Sequence, residues 1–224
     1  MKKNNWFLNF SNWAIAILTT FVILMLSIRV LITPLFARIE YHLPGFPEDP
    51  YGFTLQDRLQ WSEPSIKYLV NTQDISFLES LRFDSGEPIF NARELSHMED
   101  VKVVVTGMRI ALAFFSIVLF LLTLTHIRHG RRDMLLRAYH AGGWGIIGLI
   151  AAILFLLLLN FNQLFTWFHK IFFTNGTWQF YTSDTLIRLF PMRFWQDAFI
   201  TVGGLSLIFG GILVFITRKK IRTR

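Results

Sequence analysis

Residues 91–125 read NARELSHMED VKVVVTGMRI ALAFFSIVLF LLTLT, and this stretch decides the fold. Its second part, Val101–Thr125, is an apolar run longer than the ~20 residues a helix needs to cross a ~30 Å hydrocarbon core. Its first part is polar, and Asn91 with Glu94 three residues on is spaced like a capping box. No proline separates the two parts. The pattern predicts one continuous helix that starts in water and ends as a membrane span. Spacings of three and four put Arg93, His97 and Asp100 on one face of it, with Glu94 beside them. An imidazole flanked by carboxylates and a guanidinium is a reasonable general acid or base. Its bland alternative is an interfacial histidine that only hydrogen-bonds its neighbours.

Three further runs reach spanning length, Trp13–Phe36, Ala141–Phe161 and Ala198–Thr217. The expected fold is an all-α membrane protein with four transmembrane helices. Lys2-Lys3 followed by an apolar run resembles a signal peptide. The run is longer than an h-region, so an uncleaved first span is expected. Arg29 and Arg109 lie inside two runs, near their outer ends, where snorkelling is the simple reading.

Charge sets the topology. Residues 1–12, 126–140 and 218–224 hold 11 basic residues and one acid, whereas residues 37–100 hold five basic residues and twelve acids. The positive-inside rule puts both termini and the middle loop in the cytoplasm. The formal charge of +7 is therefore a topology signal, and no nucleic-acid partner is expected. The expected organisation is an N-terminus and first span (1–36), an extracellular cap (37–100), a second span (101–125) and a cytoplasmic loop (126–140). A third span (141–161), an aromatic-rich extracellular segment (162–197) and a fourth span with a basic tail (198–224) complete it. His126, His129 and His140 fall in or beside the cytoplasmic loop, with a solvated or lipid-facing role by default.

The cap reads as small and mostly helical. Thr54 with Asp57 opens one helix, Ser62-Glu63-Pro64 a second running to Val70, and Asp74 a third over Ile75–Leu81. Asp84-Ser85-Gly86 is a turn between two short strands, Leu81–Phe83 and Pro88–Phe90. The second outer segment carries eleven aromatic residues in thirty-six, more than a headgroup belt needs. That density suggests an apolar chamber or a surface for lipid chains. It holds one histidine, His169, and Asp184, the expected N-cap of an amphipathic helix lying on the membrane. Lys170 and Arg188 have lipid headgroups as their simplest partners. The glycines of Gly142-Gly143-Trp144-Gly145, Gly203-Gly204 and Gly210-Gly211 suit close helix packing. Asn175-Gly176-Thr177 matches a glycosylation acceptor by chance. With no cysteine, disulfides, thiolate metal sites and a cysteine nucleophile are excluded. Serine-nucleophile, metalloprotease, P-loop and dinucleotide motifs are missing too.

Three stretches together resemble the lipoprotein intramolecular transacylase family. They are Tyr51-Gly52-Phe53-Thr54 with Asp57-Arg58; Asn91–Val101; and Phe168-His169 with Trp178, Asp184–Pro191 and Phe194-Trp195. The resemblance implies a bacterial plasma-membrane enzyme whose active site faces the outer leaflet and the extracellular side. Its substrate is a diacylglyceryl-modified lipoprotein. The sn-2 acyl chain moves to the α-amino group of the N-terminal cysteine, giving the lyso-form. The family's two histidines map onto His97 and His169. Tyr51, Arg58, Asn91, Arg93, Glu94, Asp100, Trp178 and Asp184 are the candidates for substrate binding, oxyanion stabilisation or orientation. His97 is the expected base, oriented by Glu94 and Asp100, and His169 the expected acid. Membrane lipid is the only other partner, and no cofactor or metal is expected. The rival reading is a non-enzymatic four-span sensor or assembly protein whose cap binds a partner. A small transporter is disfavoured because the runs lack acids.

Overall fold

The computed structural model describes residues 6–173 and 176–222. Lys2, Lys3, Asn175 and Arg224, used above, lie outside them. The described residues form eight helices: α1 (Trp6–Leu31), α2 (Pro34–Tyr41), α3 (Leu55–Val70), α4 (Ser76–Glu79), α5 (Ala92–Arg128), α6 (Arg132–Phe172), α7 (Thr185–Leu189) and α8 (Met192–Arg222). Four of them, over Phe10–Leu31, Ala92–Arg128, Arg132–Phe172 and Met192–Ile221, are long and apolar enough to cross a membrane. The protein is a multi-pass membrane protein.

Each helix boundary has a local cause. Pro34 stops α1 before the expected Phe36: its ring disfavours helical backbone at Thr33, which is extended (φ −144°, ψ 146°). Pro34 then opens α2, where a missing N–H costs nothing. Arg29 donates to the Ile32 carbonyl (3.2 Å), which lies in that break. Thr54 and Asp57 form the capping box of α3. The second helix expected from Ser62 is part of α3, which runs through Pro64. The Ser65 hydroxyl donates to the Trp61 carbonyl (2.8 Å) one turn back. The expected strands reduce to a single bridge between Arg82 and Pro88, around a tight turn with Gly86 at φ +85°. The polar start and the apolar run of α5 are one helix, as the capping pattern at Asn91 predicts. In α6, Asn160 leaves helical geometry (φ −164°, ψ 97°). Its Oδ1 accepts from the Gln163 N–H (3.0 Å) and caps the residues that follow.

The chain packs as two compact units. One comprises Met1–Ile28, Arg109–Leu158 and Thr201–Arg224. Ile15, Leu135 and Ala138 form its buried cluster. Gly142 packs where a Cβ would lie 2.8 Å from the Ala16 carbonyl oxygen and 2.7 Å from Thr19 Cβ, so no larger residue fits without a backbone shift. Its outward faces carry exposed Ile117, Phe120, Phe209 and Phe215, as lipid contact requires. His126 is buried rather than solvated; its Nδ1 donates to the Leu122 carbonyl (2.9 Å). His140 bonds the Thr217 hydroxyl (3.0 Å).

The other unit comprises Arg29–Met108 and Leu159–Ile200. Tyr68, Leu78, Ile89, Phe90, Met98, Leu186 and Leu189 form its main core; Ala37, Tyr41, Ile66 and Phe194 form a second. The Tyr41 hydroxyl donates to the Leu189 carbonyl (2.8 Å). Beside the second cluster, Glu40 on α2 is 2% exposed. Burial and then a hydrogen bond to the Asp197 carboxyl push its pKa up to about 7, against the opposing pull of the Arg193 guanidinium. Arg193 itself pairs with Asp197. In the unfolded chain a glutamate titrates near ~4.3, so the folded state holds a proton that the unfolded state has lost. This contribution is complete at low pH and is lost as pH rises through about 7. Glu40 therefore adds a downward slope to the unfolding midpoint of the solubilised protein between about pH 4.5 and about pH 7. Glu40→Gln should flatten that slope.

Candidate functional site

All the site residues expected from the sequence lie in this second unit. The capping box fixes the start of α5: Asn91 Oδ1 accepts from the Glu94 N–H (3.0 Å), and Glu94 Oε2 accepts from the Asn91 N–H (2.8 Å). Two turns on, α5 carries His97. The capped segment after Asn160 carries Phe165, His169 and Phe173 on α6 and just past its end. Their spacing of four returns them to one helical face.

These two elements bring the histidines together. The imidazole centroids are 6.3 Å apart with planes 22° from parallel, and each residue is 8% exposed. Aromatic rings enclose the pair. Phe173 meets His97 at 5.0 Å and His169 at 5.6 Å. Phe165 lies 4.0 Å from His169 and Trp178 5.1 Å from it; Phe180 lies 5.3 Å from His97. His169 Nδ1 donates to the Phe165 carbonyl (2.8 Å). That bond places the proton on Nδ1 and leaves Nε2 as the free lone pair of the neutral ring. His97 Nδ1 is buried and has no hydrogen-bond partner among the described residues. A buried ring nitrogen without a partner is an unmet bond that a substrate atom can satisfy.

The other expected residues have separate partners. Asp184 collects Asn91 and Arg93: its Oδ1 accepts from Asn91 Nδ2 (3.1 Å), and its Oδ2 accepts from Arg93 (2.7 Å) and from the Tyr181 N–H (2.8 Å). Asp184 stands at the N-cap position of α7, but these bonds, and not the helix, occupy its side chain. Arg93 also lies over the rings of Tyr181 (4.9 Å) and Phe180 (5.7 Å), and its Nε is buried without a partner among the described residues. Asp100 accepts from the Thr177 hydroxyl (2.8 Å), next to Trp178. Glu94 is 1% exposed and its carboxylate accepts from two backbone amides, Asn91 and Leu186. It therefore fastens α5 to α7 and gives no oxygen to His97.

Tyr51 and Arg58 sit elsewhere. The Tyr51 hydroxyl bonds Thr182 (2.7 Å). Arg58 is buried and donates to the carbonyls of Pro47 (2.6 Å) and Arg188 (3.1 Å). Those carbonyls occupy its Nε and one terminal nitrogen, which fits a tether better than an oxyanion donor. Arg188, read above as a headgroup contact, instead pairs with Asp49 (2.9 Å) and lies 3.4 Å over Phe53. The side chain of Asp49 is 1% exposed. Neither Asp49 nor Phe180 stands out in the sequence; Phe180 was visible only as one aromatic among eleven.

Comparison with known proteins gives a consistent set of likenesses. A family model described as lipoprotein intramolecular transacylase matches residues 13–195. An uncharacterized protein of Aquifex aeolicus (strain VF5) is 32% identical over 204 residues, covering 90% of each chain. Structures of the membrane integral lipoprotein intramolecular transacylase of Bacillus cereus share the fold. One superposes with a TM-score of 0.73 at 16% identity, covering 96% of this chain and 98% of that one. A variant of that protein, solved with one histidine replaced by alanine, gives 0.74 at 17% identity, covering 99% and 100%.

Proposed function

We propose a reaction for this chain, which belongs to the lipoprotein intramolecular transacylase family: the sn-2 acyl chain of a diacylglyceryl-modified lipoprotein moves from the glyceryl oxygen to the α-amino group of the N-terminal cysteine. The observation that carries the reading is the pair His97 and His169, 6.3 Å apart inside an aromatic enclosure. Two groups at that spacing can reach one ester and its attacking amine; groups more than ~12 Å apart could not.

The bonds and protons balance without an external donor. The α-ammonium first loses a proton, and its nitrogen attacks the acyl carbon through an eight-membered ring. The C–O bond to glycerol then breaks. The nitrogen gives up a second proton as the amide forms, and the glyceryl oxygen gains one to become a hydroxyl. Medium rings close slowly because many rotors must freeze together. An enclosure that holds amine and ester ~3–3.5 Å apart can remove up to ~7–11 kcal/mol of that barrier. The rings of Phe165, Phe173, Trp178 and Phe180 are the walls of this enclosure.

The hydrogen bonds of the histidines support one assignment of their roles. The Phe165 carbonyl fixes the Nδ1–H tautomer of His169, so Nε2 is ready to accept a proton, and we assign it as the base. The sequence alone suggests the opposite order, with His97 as the base oriented by Glu94 and Asp100. His97, with Nδ1 unpartnered, protonates the leaving oxygen. Arg93, with its unpartnered Nε, is the oxyanion donor best supplied for the role. We place the unit carrying the histidines on the extracellular side and both termini in the cytoplasm, on the distribution of basic residues.

The reading is tested on the lipoprotein itself. A diacylglyceryl lipoprotein incubated with the purified protein should yield an N-terminal peptide of unchanged mass whose fragments carry one acyl chain on nitrogen and one on glycerol. An N-terminus that keeps both chains on glycerol would overturn it.

A further inference from the structure

We infer that residues 176–184 form a strap that sets the two histidines in place, and that Thr177 is its positioning residue. The inference rests on the reading of His97 and His169 as the acid–base pair. The strap has little regular structure of its own. Gly176 is at φ +67°, and the local backbone bonds run from Gln179 N–H to the Gly176 carbonyl (3.3 Å) and from Asp184 N–H to the Tyr181 carbonyl (3.0 Å).

Side chains hold it instead. At one end Thr177 donates to Asp100 (2.8 Å). At the other end Asp184 takes Asn91 and Arg93. Between these points the Thr182 hydroxyl meets Tyr51. Both end attachments are on the first turns of α5. Asn91 and Asp100 are nine residues apart in sequence, a rise of roughly 13 Å along a helix. The strap from Thr177 to Asp184 could stretch to roughly 23–25 Å if unheld. It is therefore slack enough to move, and the side-chain bonds fix it.

The rings it carries are the ones the histidines need. Trp178, one residue from the Asp100 attachment, packs on His169. Phe180, under the Arg93 guanidinium, packs on His97. One short segment thus supplies one wall to each histidine. The Thr177 hydroxyl anchors the strap immediately beside Trp178. Losing it frees the indole while leaving the Asp184 end fastened.

Thr177→Val removes the donor and keeps the shape; Thr177→Ser keeps the donor. Turnover of a synthetic diacylglyceryl lipopeptide by the purified full chain should fall ~10- to ~100-fold in kcat for the Val variant. KM should change little, and Ser should restore most of the rate. Amide hydrogen exchange over 176–184 should quicken in the Val variant and not in the Ser variant. Wild-type kcat in Thr177→Val, or equal losses in Val and Ser, would overturn the role of the hydroxyl. Unchanged exchange in the Val variant would overturn the strap whatever the rates. Should the wild-type chain itself fail to convert the lipopeptide while exchange responds as expected, the strap stands and the transacylase reading fails.

Discussion

His97→Asn and His169→Asn are each expected to abolish conversion of a diacylglyceryl lipoprotein to its lyso-form while leaving a folded membrane protein. A positioned acid or base contributes ~100- to ~10,000-fold, and each substitution removes one of the two groups that carry out the proton transfers. The two variants test different things. In His169→Asn the bond from Nδ1 to the Phe165 carbonyl can be replaced by the amide nitrogen, so orientation is kept while basicity goes. In His97→Asn no hydrogen bond from Nδ1 to the described residues is lost, because that atom makes none. Folding should suffer little in either case, since both residues sit among rings and outside the main core of Tyr68, Leu78, Ile89 and Leu189. The check is the mass-spectrometric position of the acyl chain, together with the yield and unfolding midpoint of each variant. Wild-type-like product from both would sink the two-histidine mechanism. A loss from His97→Asn alone would leave one proton transfer to solvent.

How much of this was legible in the sequence depends on the range of the interaction. The four spans were, because run length and hydropathy are local properties. So were the capping boxes at Thr54 and Asn91, which join residues three apart. His97 stood out through its helical neighbours, and His169 as a lone imidazole among aromatics. What could not be read was which residue meets which across the fold. Asp184 looked like a helix cap, yet Arg93, ninety-one positions away, takes its carboxylate. Arg188 looked like a lipid contact, yet it pairs with Asp49. Glu94 looked like an orienting carboxylate for His97 because the two are three apart. A tertiary bond to the Leu186 amide claims it instead. Charge pattern gives a residue's chemistry but not its partner. Pro64 misled for the opposite reason: proline is a local signal to start a helix, and α3 runs through it.

Glu94→Ala is expected to be the most damaging single change to the stability of this unit. Glu94 is 1% exposed, and its oxygens accept from the Asn91 N–H (2.8 Å) and the Leu186 N–H (2.6 Å). Alanine leaves a void and strips both amides of their acceptor. Leu186 is itself buried, at 6% exposure, so water cannot readily replace the carboxylate there. A buried donor without a partner costs ~1–3 kcal/mol, and loss of the capping box adds ~1 kcal/mol. The sum, ~2–4 kcal/mol, should appear as a lower unfolding midpoint and a lower yield of solubilised protein. Glu94→Gln should fall between the two, because its amide offers one acceptor oxygen where two donors converge. The functional consequence is indirect. Releasing Leu186 loosens α7, and with it Asp184 and the Arg93 guanidinium that lies over Phe180. Glu94→Ala should therefore lose activity and stability together, whereas the histidine variants lose activity alone. If Glu94→Ala kept the wild-type midpoint while losing turnover, its carboxylate would belong to the chemistry rather than to the scaffold.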